Sequence, residues 1–333
     1  MIVVFALLSS ALLSALLILV LKPLLVRYAL ARPNARSSHK TPTPQGGGIA
    51  VLAATLAVAG CSAIWLVLPV ASLSVVGAAA IAFAVLGTAD DIQPLPAWIR
   101  LVMQFVIVTA VVLAFGTRLL PEPVPLAAER VLLVVGGVWF VNLVNFMDGL
   151  DWITVAEMVP ITGFVAGLGL VGIMPLWIAV LAAALCGALV GFAPFNRPVA
   201  RLFLGDVGSL SIGLLVGWML LQLAGTGGLA AAILLPLYYL MDATITLLRR
   251  LARGEKVWEA HRSHFYQKAT DNGVRVLAVD AHVFGLNLVL AALAAMTLVW
   301  PSGAVQVVAL ALGVVLVGLV LRRFSRPGLE VSR

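Results

Sequence analysis

Residues 2–21 run for twenty positions without one charged side chain, and ten further apolar stretches of comparable length follow. A helix needs about 20 mostly apolar residues to cross a hydrocarbon core of roughly 30 Å. In lipid no water is available to satisfy backbone N–H and C=O groups, so repeated runs of this length fold as helices. Breaks at charge, Pro and Gly clusters place spans near 2–21, 48–68, 70–88, 99–116, 131–147, 153–172, 175–193, 207–224, 228–248, 282–300 and 303–321. The chain therefore reads as all-α, a polytopic membrane protein of about eleven transmembrane helices forming a single domain over 1–333. With 62% apolar and 11% charged residues, it cannot be a soluble enzyme, a disordered chain or a disulfide scaffold. An outer-membrane barrel would alternate polar and apolar residues in short segments, which these runs do not. Cys61 and Cys186 sit inside apolar runs without CxxC or metal-ligand spacing. No basic residue precedes the first run, whereas Lys22 and Arg27 follow it, unlike a signal peptide.

Charge sets the orientation. With the N-terminus outside, the loops near 22–47, 89–100, 148–152, 194–206 and 249–281 and the C-terminus share one side, which receives all of the 21 Lys and Arg except Arg118 and Arg130. That bias marks the side as cytoplasmic, and it accounts for the net charge of +7 without any nucleic acid. Of the 14 acidic residues only Glu122 and Glu129 fall in the external loop. Chemistry gathered on the cytoplasmic face points to a cytosolic substrate.

Four groups of residues carry that chemistry. Asp90 and Asp91 are adjacent at the end of an apolar run, where they repel each other unless a cation compensates. A hard cation such as Mg²⁺ binds carboxylate and phosphate oxygens together, so the pair suits a diphosphate, although a solvated helix end would also tolerate it. Asn142, Asn145 and Asp148 recur every three residues, with Asp151 beyond Gly149. On a helix the three share a side and could line a polar cleft that binds substrate, while helix-to-helix hydrogen bonding would explain one Asn but hardly the set. Asp206 lies between glycines just before a span, where it reads as an N-cap or a metal ligand. The longest cytoplasmic loop carries His261, Arg262 and His264. Zinc is disfavoured, because there are four His in all and no Cys nearby, and phosphate recognition fits better. A fifth, weaker feature is the loop 32–48 with Gly46, Gly47 and Gly48, where phosphate could approach the backbone.

Taken together and in order, the PNxRSSHxxPTPxGGG loop, the GxxDD pair, the NxxNFMDGLD and FLGDVGSL segments and the DATxTLLRRLxRGEKxxxAHRSHxYQ loop closely resemble the polyprenyl-phosphate N-acetylhexosamine-1-phosphate transferases, glycosyltransferase family 4. The match covers roughly 32–268 and looks more like the enzymes that initiate O-antigen and exopolysaccharide than the peptidoglycan translocase. The resemblance implies a Mg²⁺-dependent enzyme, with Mn²⁺ as an alternative, in the bacterial cytoplasmic membrane. It would join UDP-N-acetylhexosamine to undecaprenyl phosphate, giving undecaprenyl-diphospho-HexNAc and UMP. By the same resemblance Asp206 and Asp90 hold the metal, and Asp90 and Asp91 position or deprotonate the lipid phosphate. Asn145, Asp148 and Asp151 lie on the nucleotide side, Arg100 keeps a phosphate contact, and His261, Arg262 and His264 meet the diphosphate or sugar. Direct displacement and a phospho-Asp route both remain open, as do the sugar and a homodimeric assembly. This chain departs from the pattern at Trp152, where many members carry Gly, and Asp242 reads as structural, paired with Arg249 or Arg250. The rival reading is a secondary transporter, whose carboxylates should lie mid-membrane and on both faces.

Overall fold

The structure, a computed structural model, describes residues 1–31, 42–121, 123–256 and 261–326. Thirteen α-helices make up nearly all of it: α1 Ile2–Tyr28, α2 Gly47–Trp65, α3 Val70–Ile92, α4 Ala97–Phe115, α5 Leu126–Met147, α6 Ile153–Leu170, α7 Leu176–Phe192, α8 Asp206–Leu223, α9 Leu229–Leu234, α10 Leu237–Ala252, α11 Phe265–Asp271, α12 Val276–Val299 and α13 Gly303–Phe324. The described strands are β1 Leu30–Ala31 and β2 Thr43–Pro44, an antiparallel pair with Leu30 opposite Pro44. The Arg32–Thr41 part of the glycine-rich loop lies outside the described residues.

Each expected span falls on helix, and nine described segments are long and apolar enough to cross a membrane. Two expectations change in detail. Helix α7 has 17 residues, short for a span. The span expected at 228–248 is divided, because Gly227 turns the chain at φ 89° after α8 and Pro236 separates α9 from α10. Proline removes a backbone donor and clashes with the preceding turn, so the helix restarts there.

The packing is that of a bundle meant for lipid. On α1, Ala6, Ser10, Ser14 and Ile18 are wholly buried while Leu12, Leu16 and Leu19 face outward. Small residues turn inward because lipid offers no hydrophobic drive between helices, and close backbone contact takes its place. They meet α7, whose Gly187 and Gly191 lie against the carbonyls of Leu7 and Ala11. Helix α7 is buried on every side from Ile178 to Leu189, so it forms the axis of one half of the bundle. Helix α8 is similarly enclosed, with α3 and α5 on either side of it. On α10 the polar residues Tyr238, Asp242, Thr246 and Arg250 recur every four positions and are buried, while Leu248 and Leu251 are exposed.

Candidate active site

The ends of α3, α5 and α8 meet at one pole of the bundle, and their carboxylates meet with them. Helix α3 ends in Asp90 and Asp91. The Asp91 carboxylate accepts from the backbone N–H of Asp206 at 3.1 Å through Oδ1 and from Val207 at 3.3 Å through Oδ2. A residue from α3 therefore caps α8, satisfying N–H groups that the first turn of a helix leaves open. Asp206 is the first helical residue and not the cap, which leaves its own carboxylate available. Its Oδ1 accepts from Asn145 Nδ2 at 2.8 Å, and the same amide donates to Ser209 Oγ at 2.9 Å.

Arg100, from the first turn of α4, supplies the positive charge. Its Nη1 stands 2.6 Å from Asp90 Oδ2 and 4.0 Å from Asp206 Oδ2, so one guanidinium nitrogen lies between two carboxylates. The other Asp90 oxygen accepts from the N–H of Leu95 at 2.6 Å, which fixes the turn between α3 and α4. Among the described residues no group of three or more His, Cys, Asp or Glu is arranged to hold a metal by itself. The oxygen donors of Asp90 and Asp206 nonetheless suit Mg²⁺, which is commonly held by one or two carboxylates with water and substrate phosphate completing the shell.

The loop after α5 forms the adjoining wall. Asp148 Oδ1 accepts from Thr154 Oγ1 at 2.5 Å. Removal from water pushes the Asp148 carboxyl up to about 8; the Thr154 hydroxyl opposes this and the charges of Asp206, Asp91 and Asp151 add to it. Asp151 is buried, and its Oδ2 accepts from the N–H of Ala200 at 3.0 Å, so it ties the α5–α6 turn to the loop leading into α8. Trp152 follows at φ 61°. That left-handed conformation favours glycine, and a non-glycine residue there costs about 1–2 kcal/mol. The indole compensates by donating from Nε1 to the Ala193 carbonyl at 2.5 Å, while its backbone N–H reaches Asn196 Oδ1 at 2.8 Å.

Asn142 turns elsewhere. Its Nδ2 donates to Gln104 Oε1 at 2.5 Å and to the Val138 carbonyl at 2.8 Å, joining α5 to α4 and not reaching the carboxylates. The glycine segment is engaged as well: the N–H groups of Gly47 and Gly48 donate to the carbonyls of Phe203 and Leu204, both at 2.9 Å. This ladder aligns residues 44–48 with the loop before Asp206. Sequence reasoning did not single out Gln45, which donates to the Asp91 carbonyl at 3.1 Å, or Thr154, Asn196 and Ser209, which bond Asp148, the Trp152 N–H and Asn145; short polar residues in loops and first turns carry no periodic signal.

The His261, Arg262 and His264 group stands at the N-terminal end of α11. The His261 and His264 rings are 4.8 Å apart, Ser263 Oγ lies 2.8 Å from His261 Nδ1, and Arg262 pairs with Asp271 at 2.9 Å. Tyr266 connects this group to the α5–α6 loop by donating to the Phe146 carbonyl at 3.2 Å and packing against Gly149. Asp242 is paired differently from the expectation. Its partner is His264, while Arg250 binds Glu255 at 2.8 Å and Arg249 lies over the Phe265 ring. Seven residues of helix separate Asp242 from Arg249 by about 10 Å, too far for the short carboxylate to meet its guanidinium readily.

Below the carboxylates an apolar groove runs between α4, α5 and α8, lined by Val111, Phe140, Val141, Gly213 and Trp218 among others. Val141 and Gly213 lie one helical turn from Asn145 and Ser209, so the groove continues the polar site into the bundle.

A group that stays protonated in the native state but not in the unfolded one reduces stability as pH rises between its two pKa values. For Asp148 that window runs from about 4 to about 8. Asp148→Asn keeps the acceptor for Thr154, so in the absence of divalent cations its melting temperature should exceed wild type by a few degrees at pH 8. The gain should vanish toward pH 4. Equal melting temperatures throughout that range would show that the carboxyl carries no such penalty.

The family model described as glycosyl transferase family 4 matches residues 72–224, which contain the α3, α5 and α8 contributions to the site. The chain is 24% identical over 285 residues to a probable undecaprenyl-phosphate N-acetylglucosaminyl 1-phosphate transferase of Bacillus subtilis, covering 77% of this chain and 75% of the relative. It is 26% identical over 298 residues to a decaprenyl-phosphate N-acetylglucosaminephosphotransferase of Mycobacterium leprae, covering 74% and 71%. With a phospho-N-acetylmuramoyl-pentapeptide-transferase of Synechococcus it shares 33% identity over 226 residues, 62% and 64% of the two chains.

Proposed function

We infer that this chain, which belongs to glycosyl transferase family 4, transfers a HexNAc-1-phosphate from a UDP-sugar to a polyprenyl phosphate and so initiates a cell-surface glycan. The observation that carries the reading is the meeting of Asp90, Asp91, Asp206 and Arg100 at the head of an apolar groove. A lipid phosphate is an anion joined to a long hydrocarbon, and this site offers a polar head and an apolar channel in line. We propose undecaprenyl phosphate as the acceptor, UDP-N-acetylhexosamine as the donor and Mg²⁺ as the metal, with the site on the cytoplasmic face of a bacterial inner membrane. The basic bias of the loops at this pole supports that orientation.

In the reaction an oxygen of the lipid phosphate attacks the sugar-linked phosphorus, a new P–O bond forms, and the diphosphate bond to UMP breaks. When bound, Mg²⁺ supplies charge neutralisation across the phosphate oxygens. Asp206 and Asp90 would hold it. Arg100 already lies between those carboxylates and would turn its donors to the phosphates as they arrive. Asp91 keeps α8 in register by capping it, and Asn145 orients the Asp206 carboxylate. Asp148, on the adjoining wall, faces the uridine side, with His261 and Arg262 toward the diphosphate.

The test is UMP release by purified protein supplied with UDP-GlcNAc or another UDP-HexNAc, undecaprenyl phosphate and Mg²⁺. Release should require lipid and metal alike and stop in EDTA. Turnover at the full rate in EDTA would remove the metal from this account, and no release with any UDP-HexNAc would remove the transfer.

A further inference from the structure

Asp242 is fully buried on α10, and five donors converge on it. His264 Nδ1 lies 3.1 Å from Oδ1, the backbone N–H groups of Phe265 and Tyr266 donate at 3.1 and 3.3 Å, and the hydroxyls of Thr246 and Tyr238 each donate at 3.3 Å. Two of these are the first N–H groups of α11, so a side chain from α10 caps that helix. Gln267 closes the same turn from the other end by accepting from the N–H of His264 at 3.2 Å.

A carboxylate surrounded by backbone and hydroxyl donors is an acceptor only. With a proton on His264 Nδ1 the 3.1 Å contact is a hydrogen bond to Asp242, made in competition with the N3 backbone N–H that the capping box aims at the same side chain. Carboxylate partners fix histidine tautomer and ring direction in this way in metal sites and hydrolytic triads. The His264 ring lies tilted against His261 at 4.8 Å and stacks on Tyr266 at 5.7 Å. Tyr266 in turn holds the Phe146 carbonyl, two residues before Asp148. One buried carboxylate thus joins the His264 ring, the start of α11 and, through Tyr266, the loop bearing Asp148 and Asp151.

We propose that Asp242 is a positioning residue for the transfer reaction, acting through His264, which it holds as the Nδ1–H tautomer with its ring set against His261 and Tyr266. This rests on the reading of the chain as a transferase, but the tautomer can be read without turnover. The chain has only four histidines, so nitrogen NMR of ¹⁵N-histidine-labelled protein in detergent can assign His264 by comparison with His264→Gln.

In the wild-type protein the His264 signal should be that of a ring protonated at Nδ1, and Asp242→Leu, which leaves the ring no acceptor, should lose that preference. Thr246→Val, which removes one hydroxyl but leaves the carboxylate, should retain the wild-type signal. In the transfer assay Asp242→Leu should lower kcat about 10²-fold with KM for both substrates within threefold, and Asp242→Leu combined with His264→Gln should be no slower than His264→Gln alone. An Nε2–H tautomer in the wild-type protein would overturn the proposal, and that reading holds even if Asp242→Leu does not fold. Losses that multiply in the double variant would also overturn it, because Asp242 would then act independently of His264. Absence of transfer by the wild-type protein with a clear Nδ1–H signal would instead refute the transferase reading and leave the tautomer assignment standing.

Discussion

Asp206→Asn should lower UMP release by about 10³-fold while the protein inserts, purifies and melts within a few degrees of wild type. The expectation of an intact fold follows from who caps whom. Were Asp206 the N-cap of α8, its loss would be felt as stability, by about 1 kcal/mol. The structure gives that task to Asp91, whose two oxygens receive the N–H groups of Asp206 and Val207. Asparagine at 206 keeps the oxygen that accepts from Asn145 and removes only the negative charge facing Arg100. A site whose work is to hold a cation and a phosphate together should not survive that loss. Steady-state rates and a thermal melt on the same preparation decide the matter. A variant with a normal rate would return Asp206 to structure, and one that failed to fold would show that its charge is needed by the bundle itself.

The acidic cluster was legible because the physics of lipid leaves so few places for charge. A carboxylate at the end of an apolar run has either solvent or a polar site to face, and Asp90, Asp91 and Asp206 lie at the ends of runs that alternate in direction. That alternation puts the C-terminal end of α3 and the N-terminal end of α8 on one face, and the packing of α3 against α8 makes them neighbours. The spacing of Asn142, Asn145 and Asp148 was less informative than it looked. A step of three on a helix of 3.6 residues per turn falls short by about 60°, so two steps drift by about 120°. Asn142 consequently meets Gln104 on α4, Asn145 meets Asp206 on α8, and Asp148 lies beyond the last residue of the helix. Asp242 shows the limit of local reasoning in another form. The nearest basic residues in sequence were the natural partners to expect, yet the partner lies 22 positions on, in a loop whose return path no periodicity records. Trp152 shows the reverse: its left-handed backbone, at φ 61°, leaves no mark in a sequence that carries a bulky side chain where that conformation favours glycine.

Gly87→Ala should slow transfer about 10²-fold and also destabilise the protein, although it adds one methyl group and alters no charge. Gly87 lies on the face of α3 that crosses the start of α8, and a Cβ there would stand 2.5 Å from the carbonyl carbon and oxygen of Asp206 and from the nitrogen of Val207. These are backbone atoms, which cannot swing aside as the end of a side chain can. Ordinary contact needs about 3.5 Å, so α3 and α8 must separate by roughly 1 Å. The separation pulls Asp90 and Asp91 away from Asp206 and lengthens both capping bonds, which are already 3.1 and 3.3 Å. Displacements of that size cost about 10²-fold in reactions that depend on placement, and overpacking costs about 1–3 kcal/mol. Gly77→Ala is the control, because it lies on the same helix and its Cβ would meet only Leu56 Cδ2, at an ordinary 3.6 Å. There alanine's better helix propensity should leave rate and melting temperature at or slightly above wild type. A Gly87→Ala protein as fast as the Gly77→Ala control would mean that the close crossing of α3 over α8 does not set the geometry of the reaction, and the carboxylate pair would have to work from some other arrangement of these two helices.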